Sequence, residues 1–545
     1  MIKKLSIAFL AVAMVFVSAC NLDLLDNPNA VTNQNTDLNY LLNRIQLDYA
    51  THFNQFSDPG MRLTRMLNAG AAIYDNAVTP GGRDGSWTTA YAGILADVQA
   101  LVPLAEKAKL FGHVGVAQTI KAAVLITMVD SYGDVPYSDA LNAENFNPKT
   151  DAGATVYAAA LAELDKAIVN LAATSSGGIT SDLYYGGDRD KWTRFANTLK
   201  LKAQLNRRLI DKAGATAAIN SLIAGGKLIS TAAQSFVFNY GTSQTNPDTR
   251  HPRYAGNYSA TGAGDYMSNS YMGTMSAKGD PRIRYYFYRQ TITNSTNINE
   301  IRCIGNQKPA HYAATDVFCY PTTIGYWGRD HLSNEGIPPD GLRRTTWGIY
   351  PAGGLYDNDA NTGVSLVTGA AGKGIHPILT QSFVDFMLAE SALTLGTTGD
   401  AKALLKSAVE KSMADVRALA MASTEAGKIN TFETSKSFVW ATEVTKYVTK
   451  VIDDYTAATT DDARLNIIAT EYWTAAHGNG VEIYNLYRRT GKPANQQPAL
   501  EPNPGGFVRS YYYPTSFVAR NSSAKQKTTA TEPVFWDNNP PSLTK

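Results

Sequence analysis

Aromatic and hydrogen-bonding side chains cluster between residues 326 and 356. Flat aromatic rings complement the C–H faces of sugar rings, while amide, carboxylate and guanidinium groups can pair with sugar hydroxyls. The surrounding glycines are typical of loops. The sequence therefore predicts a ligand-binding site in this segment. Its seven residues are Tyr326, Trp327, Arg329, Asp330, Trp347, Tyr350 and Tyr356.

The alternative is that these loop aromatics pack onto the rest of the protein, which is the commoner fate of a tryptophan. In that case we expect the ligand site elsewhere, around Tyr74 and Arg83. Glu390 lies in an apolar helical stretch, and a buried carboxylate there would need a cationic partner such as Arg488. Three tryptophans lie on apolar helical faces and are expected in the core: Trp87, Trp192 and Trp473.

The sequence contains none of the short motifs of common enzyme and metal sites. Its seven histidines form no H-E-x-x-H pair, and neither a P-loop nor G-x-S-x-G occurs. The segment at 357–363 differs from a calcium loop, because Thr368 stands where that loop has a glutamate. Paired carboxylates for glycoside hydrolysis leave no sequence signature, so a secreted hydrolase remains an alternative. We expect no enzyme activity, no metal and no cofactor.

The N-terminal residues have the pattern of an export signal. Lys3 and Lys4 precede an uncharged apolar run at 5–17, which is too short to span a membrane. The sequence Val-Ser-Ala-Cys that ends at Cys20 resembles the bacterial lipobox, in which the cysteine sulfur receives diacylglycerol before cleavage. We therefore expect a lipoprotein signal peptide at 1–19, lipidation of Cys20 and a tether at 20–38. The alternative is an ordinary signal peptide that leaves a free cysteine.

Removal of that signal also removes Lys3 and Lys4, which leaves 47 basic residues (49 less two) against 47 acidic ones. A chain without net charge has no electrostatic reason to bind nucleic acid. No further apolar stretch is expected to reach membrane-spanning length.

The remaining cysteines, Cys303 and Cys319, predict a disulfide in an exported protein, although two free thiols are the alternative.

Helical periodicity dominates the first half of the chain. Helix pairs joined by short turns cannot bury their own apolar faces, so they predict a helical-repeat scaffold. Residues 240–375 are rich in Gly, Asn, Thr and Tyr and lack long periodic runs, so we expect a loop-rich region there. Helices then resume, and the Pro-rich residues 491–545 are expected to wrap around the protein as ordered coil.

Six segments, in this order behind a lipobox, resemble the SusD/RagB family of outer-membrane nutrient-binding lipoproteins of the Bacteroidetes. The resemblance spans nearly the whole chain. The segments are DSYGDVPYSDAL (130–141), RDKWTRFANTLKLKAQLNRRL (189–209), SFVDFMLAESALTLG (382–396), IATEYWTAAHGNGVEIYNLYRRTGKP (468–493), YYYPTSF (511–517) and EPVFWDN (532–538).

The resemblance implies a mainly α fold, with a tetratricopeptide-like helical-repeat scaffold and a loop-rich second lobe. We place these lobes at 39–235 and 236–545. It also implies a non-enzymatic lipoprotein on the outer face of the outer membrane. Such a protein captures nutrient oligomers and delivers them to a SusC-like TonB-dependent transporter. The aromatic loops favour an oligosaccharide ligand, and an oligopeptide is the alternative.

The lipobox generates the first testable prediction. Cys20→Ser is expected to leave the protein soluble or unprocessed, because each buried methylene of an acyl chain contributes about 0.8 kcal/mol to anchoring. Detergent phase partitioning and the mass of the mature N-terminus measure this. Cys319→Ser is the matched control and should stay with the membrane fraction. Membrane partitioning of Cys20→Ser at the wild-type level would contradict the lipoprotein assignment.

Overall fold

The structure is a computed structural model of the 545-residue chain. It describes residues 37–293, 300, 307–319, 325–334 and 339–540. The predicted signal peptide, Cys20, most of the tether and Cys303 lie outside these residues.

Long helices with polar N-caps form the first half of the chain. Asp37, Asp188 and Asp211 each accept a hydrogen bond from a backbone N–H in the first turn of the helix that follows, which satisfies an otherwise unpaired donor. A π-helical stretch, Thr89–Leu95, joins two of these helices into one continuous rod. The helices are α1 (Leu38–Leu63), α2 (Tyr74–Ala77), α3 (Asp84–Thr88), α4 (Ala96–Lys107), α5 (Phe111–Tyr132), α6 (Gly153–Ala172), α7 (Arg189–Asn206) and α8 (Lys212–Ala224).

Helix α5 lies at the centre of this half, with α1, α4, α6 and α7 packed around it. It is apolar on nearly all sides and almost wholly buried, which is typical of a core helix. By length and composition, α5 and the stretch at 74–107 could each cross a membrane. The expectation that no further apolar stretch reaches this length is therefore wrong. Burial inside the protein, not in a bilayer, explains the apolarity of α5.

The second half begins with loops and short elements and ends with packed helices. Two small antiparallel sheets pair β1 with β4 and β2 with β3. The strands are β1 (Phe236–Asn239), β2 (Phe287–Tyr288), β3 (Thr346–Trp347) and β4 (Ile375–Leu379). The helices are α9 (Pro252–Asn257), α10 (Asn269–Lys278), α11 (Ile283–Tyr286), α12 (Gln381–Leu395), α13 (Ala401–Met421), α14 (Ala426–Lys436), α15 (Trp440–Ala457), α16 (Asp461–Ala475), α17 (Gly480–Thr490) and α18 (Thr515–Arg520).

One buried apolar cluster runs through both halves of the chain. Helix α17 packs on α1 and α7, and α12 packs on α7 and α8. The predicted mainly α fold is confirmed. The three tryptophans expected in the core, Trp87, Trp192 and Trp473, are buried there. This core continues across residues 235 and 236 and so does not mark a boundary between lobes there. The predicted lobe boundary stays a prediction.

A buried ion-pair network joins the two halves. Both carboxylate oxygens of Glu390, on α12, accept hydrogen bonds from the guanidinium of Arg489, on α17, at 2.8 and 2.9 Å. Arg208, just after α7, donates to Glu390 at 3.2 Å. Burial raises the pKa of Glu390, but the two arginines outweigh burial and hold the pKa below its ordinary value. The expectation that Arg488 is the partner of Glu390 was wrong by one position. Arg488 instead donates to Asn485 and to the Arg509 carbonyl.

Glu390→Gln is expected to destabilise the protein strongly, because two buried guanidinium groups lose their countercharge. Breaking a buried pair in this way costs about 3–5 kcal/mol. Glu410→Gln is the matched control, since Glu410 forms an exposed pair with Lys406 and such pairs contribute about 0–1 kcal/mol. Urea unfolding of both variants measures the difference. Equal costs for the two substitutions would contradict a structural role for the Glu390 network.

The structure buries six of the seven histidines, and His311 is exposed. Within the described part of the chain, neither ring nitrogen of His52 or His376 has a hydrogen-bond partner. Burial lowers the pKa of each to about 3, and the charge of Arg253 adds to the effect at His376. The unfolded chain, with a histidine pKa near 6.5, therefore binds more protons than the folded protein below that pH.

Acidification from pH 6.5 towards pH 4 is therefore expected to destabilise the protein. Each such histidine contributes a slope of about 1.4 kcal/mol per pH unit. His52→Leu should reduce the slope by about that amount, whereas Thr51→Leu, an exposed substitution on the same helix that removes no titrating group, should leave it unchanged. Urea unfolding at a series of pH values measures the slopes. An unchanged slope in His52→Leu would show that His52 is not buried in its neutral form.

Candidate ligand-binding site

The structure places all seven predicted ligand residues in the protein interior, each at most 5% exposed. Rings buried to this extent, Trp327 and Trp347 among them, do not present an exposed face on which a sugar could stack. The loop aromatics pack onto the scaffold, as in the alternative interpretation. The buried residues are Tyr326, Trp327, Arg329, Asp330, Trp347, Tyr350 and Tyr356.

Trp347 shows why these aromatics are inside. It lies on β3, paired with β2, and its ring centroid is 4.8 Å from that of His477. Its indole N–H donates to Asp265 Oδ2 at 2.9 Å, and the guanidinium carbon of Arg253 lies 5.7 Å from the ring centroid. Tyr350 stacks on Tyr286 with centroids 5.4 Å apart. Trp347 therefore supports a charged pair rather than a ligand.

The other predicted residues also have internal partners. Arg329 lies 3.7 Å from the ring centroid of Tyr266. Asp330 Oδ1 accepts from the side-chain amide of Gln497 at 2.6 Å and from the backbone N–H of Cys319 at 3.2 Å. Cys319 is disulfide-bonded, and its predicted partner Cys303 lies outside the described residues. These contacts stabilise the loop region from within.

Tyr326 and Tyr356 also pack against other side chains of the protein. The guanidinium carbon of Arg289 is 5.1 Å from the Tyr326 ring centroid, and Tyr326 borders a cavity of about 280 Å³. The Tyr356 ring packs edge-on against Tyr285 with centroids 5.0 Å apart. Tyr356 is wholly buried, and Tyr326 is 4% exposed beside that cavity.

A polar cleft of about 370 Å³ opens instead between α1, the turn that precedes α3, and α9. We call it the Arg83 cleft. Its lining residues are Asn54, Gln55, Asp58, Gly82, Arg83, Gly85, Ser86, Pro252 and Arg253.

Asp58 carries the main negative charge of the Arg83 cleft. Its carboxylate is bound by Arg62 at 3.1 Å and by Arg253, and Arg253 also contacts Asp265 at 3.3 Å. Burial raises the pKa of Asp58, but the two arginines outweigh burial and hold that pKa well below its usual range. The two carboxylates and two guanidinium groups are thus ionised and balance one another.

Arg83 and Gln55 line the cleft, and each also carries a buried polar atom. Arg83 Nη1 donates to the backbone carbonyl of Gln55 at 2.9 Å. Among the described residues, Arg83 Nε and Gln55 Oε1 are buried with no hydrogen-bond partner. An unpaired buried polar group costs about 1–3 kcal/mol, so a ligand that pairs with this donor and this acceptor would recover that free energy.

Ser86 supplies the side-chain hydroxyl among the lining residues of the Arg83 cleft. The hydroxyl of Ser86 donates to the Arg83 carbonyl at 2.8 Å and lies 3.3 Å from the hydroxyl of Tyr132, so no base activates it. Within the described part of the chain, no group of His, Cys, Asp and Glu residues could hold a metal ion.

Sequence reasoning named Arg83 as an alternative position but missed the residues of α1 and α9. The glycines around Arg83, which are typical of a loop, were the sequence feature that could indicate a site there. Tyr74, named with Arg83, is buried and lies outside the cleft, where its hydroxyl accepts from Arg65 at 3.1 Å. Asn54, Gln55 and Asp58 carried no signal, because polar residues on an amphipathic helix normally face water.

Two family models match the chain. The model of a SusD-like family described as "Starch-binding associating with outer membrane" matches residues 28–322. The model described as "Susd and RagB outer membrane lipoprotein" matches residues 371–532. No curated protein matches the chain at a significant level.

Solved structures share the fold over nearly the whole chain. A SusD/RagB family protein from Bacteroides thetaiotaomicron is 21% identical with a TM-score of 0.65, and the match covers 93% of this chain and 100% of that one. A chitin-binding SusD homologue from Flavobacterium johnsoniae is 19% identical with a TM-score of 0.63, covering 91% of this chain and 99% of that one. Together with the family models, these matches confirm the resemblance, and the chain belongs to the SusD-like family of outer-membrane proteins.

Proposed function

We propose that the protein is a lipid-anchored receptor on the outer face of the outer membrane. It captures an oligosaccharide in the Arg83 cleft and delivers it to a SusC-like TonB-dependent transporter, without chemical change to the ligand. The observation that carries this proposal is the unpaired donor–acceptor couple of Arg83 Nε and Gln55 Oε1 in an open polar cleft.

The hydrogen-bonding groups of the cleft suit a polyhydroxylated ligand. Asp58 and Asp265 balance Arg62 and Arg253, and Arg83 adds one further positive charge that can donate hydrogen bonds to ligand oxygens. A sugar hydroxyl both donates and accepts, so adjacent hydroxyls can pair with a guanidinium N–H and an amide oxygen together. None of the described residues that line the cleft is aromatic, so recognition by these residues depends on hydrogen bonds.

The relatives support a glycan ligand over a peptide. The family that matches residues 28–322 is described as starch-binding, and the F. johnsoniae structure is that of a chitin-binding protein. An oligopeptide would need apolar pockets for its side chains, and the lining of the Arg83 cleft is mostly polar. The predicted lipidation of Cys20 supports the anchored location.

Arg83→Ala is expected to weaken oligosaccharide binding by about ten- to a hundredfold. A hydrogen bond to a charged group contributes about 1.5–3 kcal/mol, and 1.4 kcal/mol is a tenfold change. Calorimetry with malto- and chito-oligosaccharides measures this, with a set of oligopeptides tested in parallel. Arg464→Ala, on α16 outside the cleft, is the matched control and should bind as the wild type does.

Three results would contradict the proposal. Binding of peptides without binding of sugars would exclude the oligosaccharide. Release of shortened sugars would identify a hydrolase. Unchanged affinity in a folded Arg83→Ala variant would place the site outside the Arg83 cleft.

A further inference from the structure

A second, more enclosed cleft of about 470 Å³ lies in the other half of the chain. Helices α10 and α16, the loop at 493–497 and the segment at 315–317 form its walls. We call it the amide cleft. The structure assigns to it a role that goes beyond the proposed function: we propose that the amide cleft binds a neutral carbohydrate unit, separately from the Arg83 cleft.

Side-chain amides and hydroxyls dominate the walls of the amide cleft. Asn466, Asn495 and Gln496 supply amides, while Thr274 and Thr470 supply hydroxyls. The amides offer N–H donors and oxygen acceptors, whereas the hydroxyls of Thr274 and Thr470 already donate to the carbonyls of Ser270 and Asn466, at 2.9 and 2.6 Å, and remain as acceptors. This mixture complements vicinal sugar hydroxyls, which also donate and accept. The volume lies within the range of small-molecule sites, about 300–1,000 Å³.

The amide cleft carries little unbalanced charge. Lys278, at its border, donates to the buried carboxylate of Glu471 at 2.7 Å. Asp454, another lining residue, is exposed to solvent. A neutral ligand therefore fits better than a phosphate or an ammonium group, either of which would need a fixed countercharge.

Gln496 provides the evidence for a missing partner. The residue is 2% exposed, and its Oε1 atom has no hydrogen-bond partner among the described residues. Such an atom costs about 1–3 kcal/mol when it is left unpaired, so most buried polar groups find a partner. A sugar hydroxyl in the amide cleft would supply the donor that Gln496 lacks.

The walls of the amide cleft are held rigidly. The backbone N–H of Ala494 donates to Asn466 Oδ1 at 2.7 Å, which fixes the loop to α16. Gln497 donates to the Val317 carbonyl at 2.8 Å and to Asp330 at 2.6 Å, which fixes the same loop to the 315–317 segment. A preformed site binds with a smaller loss of conformational entropy.

Trp473 closes the inner end of the amide cleft. Its indole N–H donates to the Thr64 carbonyl at 2.8 Å, and its ring packs edge-on against Tyr271 with centroids 4.6 Å apart. The ring is thus fixed as an apolar wall beside the amides. Sugars also need such a wall, because their C–H groups are apolar.

The test uses the Arg83→Ala protein, so that the amide cleft is measured without the Arg83 cleft. Saturation-transfer NMR with glucose, N-acetylglucosamine, maltose and chitobiose should detect binding that persists in this background. Adding Gln496→Leu should weaken that binding at least tenfold. Adding Ala277→Trp should do the same, because Ala277 is an exposed residue at the border of the cleft and a larger side chain there blocks entry.

Two controls distinguish a blocked amide cleft from an unfolded protein. Ala441→Trp places the same ring on an exposed position of α15 and should leave sugar binding unchanged. Gln496→Leu removes an unpaired polar atom, so its thermal stability should be equal to or above that of its parent. If Gln496→Leu fails to fold, Ala277→Trp alone decides the test.

Two outcomes would overturn the proposal. The first is the absence of any binding by the four sugars in the Arg83→Ala background. The second is residual binding that neither Gln496→Leu nor Ala277→Trp weakens. Failure of the proposed function gives a different result. In that case the wild-type and Arg83→Ala proteins would bind oligosaccharides equally, while Gln496→Leu and Ala277→Trp would still weaken binding in the amide cleft.

Discussion

The buried carboxylate of Glu390 fixes how the two halves of the chain pack together. It holds Arg489 of α17 through two hydrogen bonds and Arg208 beside α7 through a third. Arg489 also donates to Asn206 at 3.2 Å, and Arg208 to the Arg489 carbonyl at 2.9 Å. Because a buried charge without its partners is so costly, α7, α12 and α17 have one favoured register.

The position of α17 in turn determines the position of α1. The two helices approach so closely that a Cβ on Gly60 would lie 2.2 Å from the carbonyl oxygen of Gly480, so glycine is required there. The hydroxyl of Ser57 also donates to the Gly478 carbonyl and accepts from the Gly480 N–H, both at 2.9 Å. Since Asn54, Gln55 and Asp58 lie on α1, the geometry of the Arg83 cleft depends on this contact.

The helices were predictable from sequence, and the pairing of particular side chains was not. Apolar periodicity depends on neighbours three and four residues apart, so it predicted the helical first half of the chain directly. The partner of Glu390 was missed because Arg488 and Arg489 are adjacent on α17, and only the rotation of that helix decides which one faces Glu390. The position of the loop aromatics was predicted wrongly for a similar reason, because their partners are distant in sequence. The sequence shows that Trp347 lies among glycines, but Asp265, its hydrogen-bond acceptor, is 82 residues away.

Both clefts combine residues that are distant in sequence, which explains why sequence patterns did not reveal them. Gln55, Arg83 and Arg253 meet only because α1 and α9 pack beside one turn, and Gln496 meets Asn466 only because the 493–497 loop returns to α16. Helix α1 connects the two arrangements, since it carries Asp58 and is followed by Thr64, whose carbonyl fixes Trp473 at the amide cleft. The same packed core therefore holds both clefts in shape. The aromatics expected to touch ligand act instead inside that core, where Trp347 supports the Asp265–Arg253 pair and, through Arg253, the charge of Asp58.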